Sequence, residues 1–394
     1  DDIAWLFNIR GNDVLFNPVA LSYSIITDTE AKLFIDKSKV NKEVEDELKL
    51  QGIEVFEYLE IEEEIKKLNG KVLIDPAKVN AKLYSLLKCE IKEEVNLTTN
   101  LKAIKNNVEI ESLKNCHIKD GVAMVKFIKY LRDNIGKEKI TELSASKVLT
   151  ELRSKEELAM GDSFGTIAGY KEHAAMMHYS ATEESAYELK EEGLFLVDSG
   201  GQYLDGTTDI TRTFVLGNIT EEEKRDFTLV LKGHINLANA KFLKGATGGN
   251  LDVLARGPLW QYGLDYKCGT GHGVGFFLNV HEGPQGIRPN GNTVPLEPGM
   301  ILTNEPGIYK EGKYGIRTEN TLVVVKDETT EFGDFYRFDT ISYCPIDLNG
   351  VVKELLSIEE LEWLNNYHET VYNKLSPFMN EKEKEFLQEL TRVI

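Results

Sequence analysis

Apolar and polar positions alternate in short blocks through the first hundred residues. Leu21–Thr27 and Lys32–Asp36 read as two short strands around the turn residues Asp28, Thr29 and Glu30. A charged helical stretch follows near Asn41–Leu50, then an apolar run at Ile53–Tyr58, then a strand at Val72–Ile74 and a helix after Pro76. This order predicts a small α/β domain, and it carries no catalytic pattern. From Val108 the period changes. Ile110, Leu113, His117, Met124, Phe127 and Leu131 recur at helical spacing, and Gly136 is a natural stop. Ser154 with Glu157, and Thr220 with Glu223, match the capping-box pattern and predict two further helix starts. Strands are predicted at Leu194–Val197, Thr211–Leu216, Met300–Thr303 and Thr321–Val325, and helices near Ser357–Leu375 and after Asn380. Strands and helices interleave without a regular βαβ period, which points to an α+β catalytic domain.

A chain of 394 residues exceeds one ordinary core, so more than one domain is expected. The hydrophobic share of 41% and charged share of 28% are those of a globular protein. No apolar run approaches the roughly 18 residues of a membrane span, and no secretory leader opens the chain. A net charge of −19 argues against nucleic acid as a partner, because phosphate contacts need an excess of Lys and Arg. Cys89, Cys116, Cys268 and Cys344 lie far apart, as reduced thiols of a cytoplasmic protein would.

The chemistry concentrates after residue 190. In LFLVDSGGQYLDGTTDITRTFVLG (Leu194–Gly217) an apolar strand runs into Asp198 and a second strand leaves from Asp209. If the strands pair, both carboxylates sit at one end, where they repel unless a cation lies between them. An Asp beside Gly more commonly caps a turn, so the pair alone leaves both readings open. GTGHGVG (Gly269–Gly275) sets His272 among four glycines. No GKS or GKT follows, which disfavours a phosphate cradle and favours His272 as a single nitrogen ligand. Glu305 in NEPG and Glu319 in GIRTEN each stand at a strand edge beside a turn, and Arg317 shares a face with Glu319, where it can orient that carboxylate. Four carboxylates carry −4, which two divalent cations cancel. Oxygen-rich ligation with one imidazole and no thiolate suits manganese, cobalt or zinc better than copper. A pair of such ions generates hydroxide near neutral pH and polarises a carbonyl, so a hydrolase follows.

In this order, DSG…DGTTDITRT, GTGHGVG, HEGP (His281–Pro284), NEPG and GIRTEN resemble the motif series of aminopeptidase P within the pita-bread metallopeptidases. The resemblance covers essentially the whole chain, WLNNYH at Trp363–His368 included. It implies a creatinase-N-like α/β domain at 1–105, a pita-bread catalytic domain at 106–335 and a C-terminal extension packed on it at 336–394. It implies Asp198, Asp209, His272, Glu305 and Glu319 as ligands of two metal ions, and His178 and His281 as active-site histidines that bind no metal. Glu305 is the implied proton shuttle. His173 matches nothing in the series. The implied reaction is hydrolysis of the N-terminal Xaa-Pro bond of peptides by a metal-bridging hydroxide, in a cytoplasmic homodimer. Long members carry two creatinase-like domains before the catalytic one; only one precedes it here, so the chain reads as lacking the first.

Prolidase, which acts on Xaa-Pro dipeptides with the same metals and fold, is the nearest alternative. The wording GTTDITRT and HGVGFFLNVHEGP, with the long C-terminal region, favours aminopeptidase P. Creatinase and the non-catalytic, peptide-binding relatives of this fold lose metal ligands, and none of the five is lost here.

Overall fold

The computed structural model describes all 394 residues, which divide into two compact units, Asp1–Lys102 and Ala103–Ile394. In the first unit β1 (Ser22–Ile26) and β2 (Ala31–Ile35) pair antiparallel, and β3 (Ile53–Glu57) joins β2 in parallel through helix α1 (Lys42–Leu50). Asn41 caps α1 through its side chain, which accepts from the Val44 amide. A second parallel pair, β4 (Lys71–Ile74) and β5 (Glu90–Glu93), brackets the short helix α2 (Ala81–Leu86). Leu33 and Ile35 of β2 pack with Phe7, Leu48 and Ile53, while Phe34 on the other face packs with Ile61, Ile65 and Leu83. The strand-then-helix order expected from the sequence is present throughout this unit.

The second unit opens with α3 (Asn107–Asn134), whose capping box joins Asn106 to Glu109. Leu113, His117, Met124, Phe127 and Leu131 are buried along it, as their spacing predicts. Helix α4 (Glu142–Arg153) departs from expectation. Its capping box is Thr141 with Ser144, and Ser154, predicted to start a helix, ends this one. The Ser154 hydroxyl donates backwards to the Glu151 carbonyl, a local bond that a helix end offers as readily as a helix start. The predicted box at Thr220 does open α5 (Glu221–Ala238).

Three sheets surround the centre of this unit. One holds β6 (Ala159–Asp162), β9 (Gly201–Tyr203) and β10 (Gly206–Thr207). Another orders β7 (Ile167–Tyr170), β8 (Leu194–Ser199) and β11 (Ile210–Val215), with β8 in the middle. The largest comprises six strands in the order β12 (Lys241–Leu243), β19 (Gly333–Thr340), β18 (Asn320–Thr330), β15 (Ile301–Asn304), β13 (Gly271–Gly273) and β14 (Glu282–Ile287). A two-stranded ribbon, β16 (Gly307–Lys310) with β17 (Tyr314–Arg317), completes the set. Helices α5 and α6 (Gly248–Trp260) pack on the largest sheet, and the buried face between them holds Leu237, Leu251, Ala255, Leu302, Leu322 and Val324. Near the C-terminus, α7 (Ile358–Leu375) and α8 (Glu381–Leu390) pack against α3, with Leu364, Val371, Leu375 and Leu387 buried beside Val122 and Val125. No helix is long and apolar enough to cross a membrane, and all four cysteines are free thiols.

Candidate metal centre

Strands β8 and β11 run antiparallel with Asp198 opposite Thr211, so Asp209 lies just beyond the start of β11 at the same end of the pair. Both residues are almost fully buried, Asp198 at 7% and Asp209 at 4% exposure. His272 sits in the middle of β13, a strand that glycine makes possible. A Cβ on Gly271 would lie 2.0 Å from the Thr303 carbonyl oxygen, and one on Gly273 would lie 2.2 Å from that of Glu282. Side chains at these positions would push β13 away from β15 and β14 and take the imidazole with it. Gly271→Ala is therefore expected to destabilise the fold by about 1–3 kcal/mol, the usual cost of overpacking, as a lowered midpoint in chemical denaturation. An unchanged midpoint would show that β13 can shift freely.

The Nδ1–H of His272 donates to its neighbour's carbonyl, Gly273 O, at 2.9 Å. That leaves Nε2 facing Asp209 Oδ2 at 3.4 Å and Glu305 Oε1 at 3.5 Å. Glu305 follows the last residue of β15, its amide bonded to the Thr270 carbonyl and its carboxylate accepting from Thr303 Oγ1. Glu319 precedes the first residue of β18 and accepts a 2.7 Å bond from Thr211 Oγ1. Ligand atoms of Asp209, His272 and Glu319 all lie within 4.8 Å of one another. The five sequence-predicted ligands line one cavity of about 660 Å³, together with His178, His281, Tyr309 and Arg317.

The electrostatics of this cluster call for a cation. Burial pushes Asp209 up to about 7, against the pull of His272, and Asp198 and Glu305 add to the rise. Burial likewise raises Glu305 and Glu319, and the surrounding carboxylates raise Glu319 further. Burial works to lower His272, yet the Asp209 and Glu305 carboxylates overcome it and hold the ring at about 9. Oδ1 of Asp198 is buried with no hydrogen-bond partner at all. Four carboxylates converging on an imidazole, one with an orphaned oxygen, fit a pair of hard divalent ions.

Arg317 departs from the sequence reading. It sits two residues from Glu319, but its guanidinium turns to Asp198, donating from Nη2 to Oδ2 at 2.5 Å. Its Nη1 donates to the Tyr309 hydroxyl at 2.6 Å and its Nε to Thr211 Oγ1 at 3.2 Å. The reason lies in the β16–β17 ribbon, which ends at Arg317 and sets it above β8, while Thr211 of β11 takes Glu319. Tyr309 and Thr211 were not singled out from the sequence. Thr211 had a signal in its two-residue spacing from Asp209; Tyr309 had only its nearness to NEPG.

His178 and His281 are exposed at the cavity. Although His281 as a whole is open to solvent, desolvation by the cavity walls on its inner side lowers it to about 4, and the charge of His272, whose ring centroid is 4.2 Å away, adds to the effect. The residue after it, Glu282, forms a fully buried ion pair with Lys105, which ties down the base of this loop. His173 lies apart from the cavity. Its ring is sandwiched between Tyr179 and Tyr187, with Nδ1 against the buried Glu142.

Comparison with known proteins matches residues 111–326 to metallopeptidase family M24. The chain belongs to this family. Residues 1–109 match the creatinase/prolidase N-terminal domain, and 334–394 match the C-terminal region of family M24 peptidases. The chain has the M24 pita-bread architecture preceded by a creatinase-N-like domain. It is similar to Aminopeptidase P1 of Arabidopsis thaliana, at 39% identity over 100% of this chain and 70% of that protein. A probable Xaa-Pro aminopeptidase P of Fusarium vanettenii is 43% identical over 95% of this chain and 64% of its own length. The crystal structure of X-prolyl aminopeptidase from Caenorhabditis elegans, described as a cytosolic enzyme with a di-nuclear active site, superposes with a TM-score of 0.94 at 36% identity. That superposition covers 100% of this chain and 67% of the worm protein. The M24 chain thus spans about two thirds of the length of these relatives.

Proposed function

We propose that this chain is a metallo-aminopeptidase that hydrolyses the N-terminal Xaa-Pro bond of peptides. The observation that carries the reading is the convergence of Asp198, Asp209, His272, Glu305 and Glu319 on one cavity, in the order and spacing of this family's motifs. These five would hold two divalent ions, which when bound supply Lewis acidity and bring the pKa of water close to neutrality. Manganese is the ion proposed, with zinc and cobalt as alternatives, because the donors are mostly carboxylate oxygens.

The side chains divide the remaining work. Glu305 is the proton shuttle: it takes up the proton released by the attacking water and delivers it to the departing proline nitrogen. His281, lowered to about 4, is neutral at pH 7 and can donate one hydrogen bond to the substrate carbonyl oxygen. His178 faces the same space and binds the peptide. Arg317, gripping Asp198 and Tyr309, fixes the orientation of that carboxylate. Phe164, Ile167, Met177 and Tyr309 give the cavity apolar surface for a proline ring. An Xaa-Pro bond has no amide N–H to grip, so recognition falls to the free amine on one side and the ring on the other.

The names of the relatives favour peptides over the dipeptides of prolidase. The division at 1–105, 106–335 and 336–394, a cytoplasmic location and a homodimer belong to the same reading. The location draws support from the worm enzyme.

The test is manganese-dependent release of the first residue from an Xaa-Pro-Yaa tripeptide, beside an Xaa-Pro dipeptide and an Xaa-Ala-Yaa tripeptide. Cleavage of the proline tripeptide alone, abolished by chelator and restored by metal, is the expected result. Cleavage of the dipeptide alone would assign a prolidase. Metal-loaded protein that cleaves neither would overturn the enzymatic reading of this chain.

A further inference from the structure

Behind the proposed ligands lies a buried polar layer that no step above uses. Asn304 and Asn320 face each other across the β15–β18 pair, each directly adjacent in sequence to a glutamate of the centre. Neighbouring residues of extended chain point to opposite sides. Glu305 and Glu319 therefore turn toward the cavity, and the two asparagines turn away from it toward α5. There they meet His234, which is fully buried. Nδ1 of His234 lies 3.1 Å from the Asn304 carbonyl, and Nε2 lies 3.1 Å from Nδ2 of Asn320. The Asn304 amide donates in return to the His234 carbonyl at 2.9 Å.

The network fixes its own proton positions. Oδ1 of Asn320 accepts from Arg212 Nη2 at 2.8 Å and from the Tyr367 hydroxyl at 3.2 Å. The amide is thereby oriented with its NH2 toward the imidazole, so Nε2 must accept and Nδ1 must carry the hydrogen. Burial drives the ring toward neutrality, to about 3, and the nearby Arg212 adds to this against the carbonyls of Asn304 and Thr318. Arg212 closes the layer, donating to the carbonyls of Thr211, Glu319, Cys344 and Pro345.

We propose that His234, held as the neutral Nδ1–H form between Asn304 and Asn320, is a positioning residue for the metal centre. It sets the ends of β15 and β18, and so the separation of Glu305 and Glu319. This inference rests on the reading of those two glutamates as ligands.

The experiment compares wild type, His234→Leu and His234→Gln by calorimetric titration of metal-free protein with Mn2+, and by circular dichroism melting. Leu removes both hydrogen-bonding functions, whereas Gln keeps one donor and one acceptor. His234→Leu is expected to bind Mn2+ about 10–100-fold more weakly, the usual loss when a partner behind a ligand is removed. His234→Gln is expected to recover most of that loss. A purely structural role would lower the melting temperature of His234→Leu and leave the Mn2+ affinity of the folded protein unchanged. That result, or a Gln variant binding no better than Leu, would overturn the inference. Wild type that takes up no Mn2+ would overturn the ligand reading and this inference with it. A measurement that needs no variant is the 15N spectrum of the histidine rings in metal-free wild type. A His234 resonance of the Nδ1–H form supports the inference, and one of the Nε2–H form overturns it.

Discussion

Replacing Glu305 by Gln is expected to lower kcat by about 10²–10⁴-fold, the range for loss of a positioned general acid or base. The carboxylates of the centre are not equivalent. Glu319 is 1% exposed and Asp209 4% exposed, so neither reaches a substrate easily. The Glu305 side chain keeps 20% exposure and opens onto the cavity. It is also buffered on its inner side, where Thr303 Oγ1 donates to Oε1. A group that transfers a proton needs access to the reacting nitrogen, and Glu305 is the one carboxylate of the four that is not buried. The amide of Gln keeps an oxygen for the metal but carries no transferable acid proton. The measurement is kcat on the proline tripeptide, with Mn2+ titrated to saturation and bound metal counted. Activity within tenfold of wild type at full loading would assign the proton transfer elsewhere.

The second large effect is a pH-dependent gain of stability on metal binding. In the metal-free chain, Asp209 rises from 3.8 to about 7 because it is buried among other carboxylates. Its contribution to stability is complete below its unfolded value and is lost as pH rises through about 7. His272 rises from 6.5 to about 9, and its contribution is likewise lost as pH climbs through that range. His281, lowered from 6.5 to about 4, works in the other direction but only below its unfolded value. Between pH 6.5 and 9 the metal-free protein therefore weakens as its protons leave. Bound metal replaces those protons as the neutralising charge. The gap in melting temperature between metal-loaded and metal-free protein is expected to widen by several degrees across this interval. Melting curves at fixed excess Mn2+ and with chelator check it; a constant gap would mean that His272 and Asp209 do not exchange their protons for metal.

Much of the candidate centre was legible in the sequence because each proposed carboxylate donor stands where an apolar strand meets a turn. Asp198, Asp209, Glu305 and Glu319 all have that setting, and the glycines around His272 announced close backbone approach. The strand positions followed from alternation, with bounds shifted by a residue or two. What the sequence concealed was contact between layers. Arg317 shares a local face with Glu319 yet bonds Asp198, since the ribbon that carries it crosses β8. His234 meets Asn304 across 70 positions of chain, and no periodicity on α5 distinguishes it from an ordinary core residue. Ser154 misled because a Ser-x-x-Glu pattern says nothing about the helix that precedes it. Local patterns report local bonds, and Arg317 and His234 are defined by distant ones.

The dispersal of the donors has a consequence in time. Asp198 and Asp209 emerge from the ribosome well before His272, Glu305 and Glu319, and Tyr367, which braces the layer behind them, follows later still. At synthesis rates of about 5–20 residues per second, the interval between first and last donor is on the order of ten seconds. During that interval two aspartates on an unfinished sheet are a poor trap for any ion. The cage closes only once β18 has docked beside β15. On the proposed ligand set, choice of metal would thus be deferred until translation has passed Glu319, and would be made by a finished shape facing the ions that its surroundings offer.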